Sequence, residues 1–338
     1  MSGSAVRAGA AVLVVVGLVF GLYAALAGVS LRPAAAPVPT TTAPPPPSFA
    51  PADRAGPALT VPAADLTASL ECTRKRANRD TVLLLSGTGA DPATAFSWGV
   101  RPMLTAAGYA SCLSTAPARN TGDIAVRAEY VAHAIRTIAA DTGRKVAVVG
   151  HSQGGIAVRW ALRFWPDLRA QVSDVVALGP PNRGMAPCSV GCSAAHWQLT
   201  TGSDLLAALN SEAETFPGID YTVVTSDVDT VVPPADTALT GVPSIRVQQI
   251  CPGREVEHVS LGLSDAVSLA LVVDALRSPG PADPARIPPA TCADARPAGL
   301  TDVAQQRGTA AVDAQLRQAG APVSGEPALP CYTRGDGC

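Results

Sequence analysis

The stretch Lys145-Val146-Ala147-Val148-Val149-Gly150-His151-Ser152-Gln153-Gly154-Gly155-Ile156-Ala157 decides how the rest of the chain is read. Four apolar residues in a row, three of them valine, predict a strand buried on both faces, because such a strand shows a continuous apolar run rather than alternation. From Gly155 to Phe164 the apolar spacing turns helical. Between the two, Gly150 and Gly154 flank Ser152. A serine on a tight strand-to-helix turn is lifted clear of the sheet, and the flanking glycines let the backbone pass without clashes. The five-residue pattern alone is weak, but the strand before it and the helix after it mark Ser152 as a candidate nucleophile.

Working outward, short β-branched runs alternate with helical stretches. Thr81–Leu85, Val172–Leu178, Tyr221–Thr225 and Ile245–Ile250 read as further strands. Helical spacing runs over residues 121–141, with Asn120 or Thr121 available as cap, and over Asp204–Leu209 and Leu261–Arg277. Strands alternating with helices predict an α/β fold: a mostly parallel sheet covered on both faces. Past Pro279 the chain is rich in Pro and Ala, with one amphipathic segment from Asp302 to Arg317, expected to pack on the same domain. No internal repeat is visible.

A serine hydroxyl is a poor nucleophile until a base takes its proton. Of four histidines, His133 lies in a helix upstream of the serine, His151 adjoins it and should diverge from it, and His196 falls in a cysteine-bearing loop. On folds with this elbow the chain order is serine, acid, histidine, and only His258 leaves room for an acid on a preceding strand end. Asp227 and Asp229 both follow the strand Tyr221–Thr225, and spacing does not separate them. An oxyanion needs fixed backbone donors. The amide of Gln153 supplies one. The loop Ser86-Gly87-Thr88-Gly89 is the candidate for the other, with the Thr88 hydroxyl as an added donor.

Composition sets the outer limits. Of 338 residues 47% are hydrophobic and only 15% charged, with a net charge of −2, which supplies a large core and excludes the basic footprint of a nucleic-acid binder. Residues 8–31 carry no charge and lie between Arg7 and Arg32. Such a stretch fits a signal peptide cleaved after Ala25-Leu26-Ala27, and equally an uncleaved anchor tethering the protein to a membrane. Residues 1–32 are read as that segment, 33–65 as a Pro/Ala/Thr-rich spacer, and 66–338 as one folded domain. Export agrees with eight cysteines, an even count with no zinc or redox spacing.

Taken together, residues about 70–338 resemble the Candida antarctica lipase B group of α/β-hydrolases. The likeness rests on the Gly87-Thr88-Gly89 loop, Ala107-Gly108-Tyr109 with Cys112, Asn120 to Tyr130, and Ser152-Gln153-Gly154-Gly155. It continues through Trp160-Ala161-Leu162, Phe164-Trp165-Pro166, Trp197-Gln198-Leu199-Thr200-Thr201-Gly202-Ser203, Ser226 to Pro234, and Cys251-Pro252-Gly253 to His258. The resemblance implies an α/β-hydrolase fold, a Ser152–Asp229–His258 triad and an oxyanion hole at Thr88 and Gln153. It also implies disulfides Cys72–Cys112, Cys251–Cys292 and Cys331–Cys338, which leaves Cys188 and Cys192 to pair with each other.

Two departures bear on substrate. His151 stands where the fungal enzyme has a Trp that shapes its small pocket. The segment Asp302 to Arg317 carries Gln305, Gln306, Arg307 and Gln315 where the family's entrance helix is strongly apolar. Both turn the expectation from long-chain triglycerides toward shorter or more polar esters. The expected activity is ester hydrolysis by a monomer, secreted or held on the outer face of the membrane, with an ester or lipid substrate and no metal or organic cofactor. Acyl transfer in the cell envelope, and a catalytically dead binding protein on the same scaffold, stand as alternatives.

Overall fold

The computed structural model describes residues 48–73, 79–318 and 320–338. The apolar segment at 8–31 and the spacer up to residue 47 lie outside the described residues. Seven strands form one sheet: β1 (Leu70–Cys72), β2 (Thr81–Leu85), β3 (Ser111–Ser114), β4 (Val146–His151), β5 (Val172–Leu178), β6 (Asp220–Thr225) and β7 (Ser244–Arg246), in the order β1-β3-β2-β4-β5-β6-β7. Only β1 runs antiparallel, against β3. The helices are α1 (Ala63–Ala68), α2 (Pro92–Phe96), α3 (Val100–Ala106), α4 (Ile124–Thr142), α5 (Gln153–Phe164), α6 (Ala194–Gln198) and α7 (Asp204–Leu209). They continue as α8 (Val247–Ile250), α9 (His258–Leu263), α10 (Ala266–Arg277) and α11 (Asp302–Leu316).

The continuous apolar strands are explained by a core on each face. Leu83 and Leu85 of β2 and Val146 and Val148 of β4 turn toward α4 and α5. Their neighbours Val82, Leu84, Ala147 and Val149 turn toward α2, α3, α9 and α10. Each fully buried Leu or Val contributes roughly 1.5–3 kcal/mol, so the central strands are the most firmly held part of the chain. Parallel strands with helices on both faces put every sheet-to-helix loop that follows a central strand at one edge. Thr88, Ser152, Asp229 and His258 all lie beyond the ends of β2, β4, β6 and β7 at that edge.

Four expectations are corrected. Helix α4 is capped by Asp123, whose carboxylate accepts from Ala125 N, rather than by Asn120 or Thr121. The stretch 261–277 is two helices, because Asp265 caps α10 by accepting from Ser268 N and so ends α9. The strand read over 245–250 stops at Arg246 and closes as a helical turn. The fourth concerns the domain boundary: residues 48–65, assigned by composition to the spacer, pack on the domain.

Ala50 is buried and its amide donates to Thr333 O at 2.8 Å. Trp165 Nε1 donates to Pro57 O at 2.8 Å, and Glu129 accepts from Thr60 Oγ1 and Val61 N. This segment builds no core of its own. It packs on the side chain of Trp165, and side chains of the domain satisfy several of its backbone groups, which composition does not reveal.

Candidate functional site

The turn after β4 has the shape its glycines require. Ser152 sits at φ 54°, ψ −123°, a strained conformation for a residue with a side chain. A Cβ on Gly150 would lie 2.6 Å from Gly154 C, and one on Gly154 would lie 2.2 Å from Leu85 O, so any larger residue at either point would push α5 off the sheet. Ser152 N donates to Leu178 O of the adjacent strand at 2.8 Å, which holds the turn in place.

His258 opens α9, and Glu257 caps that helix by accepting from Val259 N and Ser260 N. His258 Nδ1 donates to Asp229 Oδ2 at 2.7 Å. The other oxygen of Asp229 accepts from Val231 N and Val232 N, both at 2.9 Å, so both carboxylate oxygens are tied and the group is 4% exposed. Asp227 points elsewhere, toward Arg246 at 3.7 Å, with its side chain 41% exposed. The structure therefore separates the two aspartates that spacing left open: Asp229 is the partner of His258. Gly179 makes this pairing fit, since a Cβ there would lie 3.1–3.3 Å from His258 and Asp229 atoms.

His151 does not face Ser152 as a second base. Its Nε2 lies 3.0 Å from the backbone carbonyl of His258, and a carbonyl only accepts, so the His151 proton is on Nε2. Burial, helped by the nearby His258 ring, pushes its pKa down to about 3, so it is neutral at working pH. The rings lie 4.9 Å apart, and Gly262 makes room, because a Cβ there would be 2.1 Å from His151 Cδ2.

A second network lies under the Thr88 loop. Asn120, at φ 62°, donates through Nδ2 to Ser86 Oγ, Gly87 O and Ala90 O at 3.0–3.1 Å. Gln153 Nε2 donates to Asn120 O at 2.9 Å and Thr88 Oγ1 at 3.1 Å. Arg127, buried on α4, donates to Gln153 Oε1 and to Ser86 O. Burial lowers its pKa to about 9, so it remains charged at neutral pH.

A cavity of about 190 Å³ brings Thr88, His151, Ser152, His196 and His258 together against apolar walls from Met185, Leu199, Val231, Leu263, Val312 and Leu316. Larger hollows of about 410 and 720 Å³ lie along α10 and beside β6 and β7, and neither touches Ser152, Thr88 or His258. The smaller cavity is the candidate site on chemical grounds. His196, expected in a loop, sits on α6, with Nδ1 held by Ser193 Oγ at 2.9 Å. The polar residues of α11 leave the cavity face clear: Gln315 bonds Asp91 N and Thr94 Oγ1 on α2, while Val312 and Leu316 turn inward.

All eight cysteines pair, as Cys72–Cys112, Cys188–Cys192, Cys251–Cys292 and Cys331–Cys338. The second pair closes a loop just beyond Met185 of the cavity wall. Sequence reading missed Arg127, the Asn120 side chain and the room left by Gly179 and Gly262. A charged residue on the buried face of α4 was the one available signal.

Comparisons with known proteins agree with the fold. A family model described as Lipase (class 2) matches residues 127–258. Lipase B from Pseudozyma antarctica is 28% identical over 299 residues, covering 82% of this chain and 86% of that protein. The crystal structure of Aspergillus fumigatus lipase B matches with a TM-score of 0.77 at 25% identity, covering 83% of this chain and 74% of that one.

Proposed function

From the premise that this chain is an α/β-hydrolase of the lipase B-like family, we propose that it hydrolyses carboxylic esters through a Ser152–Asp229–His258 triad and an acyl-enzyme. The observation that carries this reading is the buried Asp229–His258 pair opening on the same cavity as Ser152. With its Nδ1–H held in a hydrogen bond to Asp229, His258 carries its lone pair on Nε2. It takes the Ser152 proton as Oγ bonds the ester carbonyl carbon, and Asp229 stabilises the imidazolium that forms.

The negative oxygen of the tetrahedral intermediate is received by the amides of Thr88 and Gln153. Gln153 is the first residue of α5, so its amide has no intrahelical acceptor. Collapse breaks the carbon–oxygen bond to the alcohol, which leaves with the proton from His258. Water then attacks the acyl-enzyme by the same route and releases the acid.

The cavity volume bears on substrate. About 190 Å³ is less than the ~300 Å³ at which ligand pockets usually begin. Short acyl groups fit it, and long chains must extend past Leu316 into solvent. Four disulfides in the described fold support export to an oxidising compartment. The test is turnover of p-nitrophenyl esters over a series of chain lengths. Activity should peak at short chains and vanish in Ser152→Ala. Full turnover by Ser152→Ala would refute the mechanism, and a preference for long-chain glycerides above their solubility limit would refute the short-chain reading.

A further inference from the structure

Behind the two amides of the oxyanion site lies a buried polar relay that the ester mechanism does not use. It runs from Arg127 through the Gln153 side chain to Thr88. An amide side chain can be flipped without changing its shape, so its neighbours must fix which end is oxygen. Here both ends are fixed. Arg127 has only donors, so it must meet Gln153 Oε1. Asn120 O only accepts, at 2.9 Å, so the opposite end must be Nε2. That same Nε2 donates to Thr88 Oγ1 at 3.1 Å. The Thr88 oxygen is thus an acceptor toward Gln153, and its own proton is turned away from the relay. No acceptor among the described residues takes that proton, and Thr88 lines the cavity beside Ser152.

We propose that Arg127 is a positioning residue: by orienting the Gln153 side-chain amide it keeps the proton of the Thr88 hydroxyl, the added oxyanion donor already expected from the sequence, directed into the cavity. The proposal rests on the ester-hydrolase reading and adds to it. A hydroxyl rotates freely and takes whatever acceptor is near. With a carbonyl or carboxylate oxygen in place of Nε2, the Thr88 proton would be spent on Gln153 and lost to the substrate. Arg127 holds the sense of the relay at the cost of burying a guanidinium at 4% exposure, with only neutral acceptors as hydrogen-bond partners. Its second bond, from Nη2 to Ser86 O at 2.6 Å, ties the same cation to the root of the Thr88 loop. Donors held in place before the reaction need no reorganisation as charge develops, which is why their direction matters more than their number.

The experiment is a double-mutant cycle. Gln153→Glu keeps the shape, pairs with Arg127 and leaves the main-chain amide intact, but presents an acceptor both to Thr88 and to Asn120 O. The loss through Asn120 is common to both backgrounds, and only the loss through Thr88 depends on the hydroxyl. In the wild-type background it should lower kcat about tenfold to hundredfold, within reach of the ~10²-fold seen on deleting one oxyanion donor, with KM changed less than twofold. In the Thr88→Val background, where no hydroxyl proton is left to divert, its effect on kcat should be at least about fivefold smaller. Arg127→Lys, which keeps the charge but cannot bridge Gln153 and Ser86 together, should lose less and show the same dependence on Thr88. Thermal midpoints identify any variant that fails to fold, and the other of the two then carries the cycle. Equal losses in both backgrounds, or no loss in the wild type, would overturn the proposal alone. A wild-type protein without esterase activity, or an active Ser152→Ala variant, would overturn the ester reading and this proposal with it.

Discussion

The two sides of the cavity are held in opposite ways. On the Thr88 side nearly every polar group is engaged: Asn120 makes three bonds to the loop 86–90, Gln153 makes three, and Arg127 bridges the loop to α5. On the far side, Met185, Leu199, Val312 and Leu316 meet the cavity through apolar contact alone, and Leu316 is 40% exposed. A densely bonded network in a low-dielectric interior has few alternative arrangements, whereas an apolar wall tolerates volume-conserving swaps at a cost below about 1.5 kcal/mol. The chemistry is thereby fixed by the first side and the choice of substrate left to the second.

That contrast can be broken most severely at the acid. Asp229→Asn should lower kcat by about 10⁴, the loss typical of a wrongly held histidine tautomer, while Asp227→Asn should stay within twofold. Equal losses would mean that the buried pair is not the working one. On the network side, Asn120→Ala removes three bonds and puts a residue less tolerant of φ 62° in the turn. It should cost about 2–3 kcal/mol in urea unfolding and roughly tenfold in kcat.

His151 sharpens the contrast through pH. Its folded pKa of about 3 lies below the ordinary 6.5, so between those values the unfolded chain binds a proton that the folded chain does not. Stability from this group is complete above pH 6.5 and falls as pH drops toward 3, by up to about 1.4 kcal/mol per unit. Relative to wild type, His151→Gln should flatten the fall in the urea midpoint between pH 6.5 and 4.5. Parallel curves would mean that His151 is not a buried neutral group. On the apolar side, Val312→Phe should leave p-nitrophenyl acetate turnover within about threefold. It should lower kcat/KM for the longer substrate, p-nitrophenyl octanoate, about tenfold, a loss within the 1–3 kcal/mol span of a hydrophobic pocket contact.

The strand–turn–helix around Ser152 was legible in sequence because each of its requirements is local: an apolar run, glycines at fixed offsets and a helical period. The alternation of strands and helices gave the α/β layering for the same reason. The choice of Asp229 over Asp227 needed the family resemblance, since both follow the same strand and only the fold brings Val231 N and Val232 N to one of them. Arg127 and Asn120 stayed hidden because their partners are 26 to 41 residues away, and no periodicity reports a bond between a helix and a distant loop. Residues 48–65 were misassigned because composition describes what a segment can bury by itself, and this one is held by hydrogen bonds from the side chains of Trp165 and Arg163 to its carbonyls.

The central claim is that Ser152 is the nucleophile that carries the acyl group. Intact-mass analysis after treatment with a fluorophosphonate tests it directly. The account predicts one adduct per chain, mapped to the peptide containing Ser152, with loss of esterase activity in step with labelling and no adduct in Ser152→Ala. Labelling at another residue, or undiminished ester turnover by fully labelled protein, would contradict it.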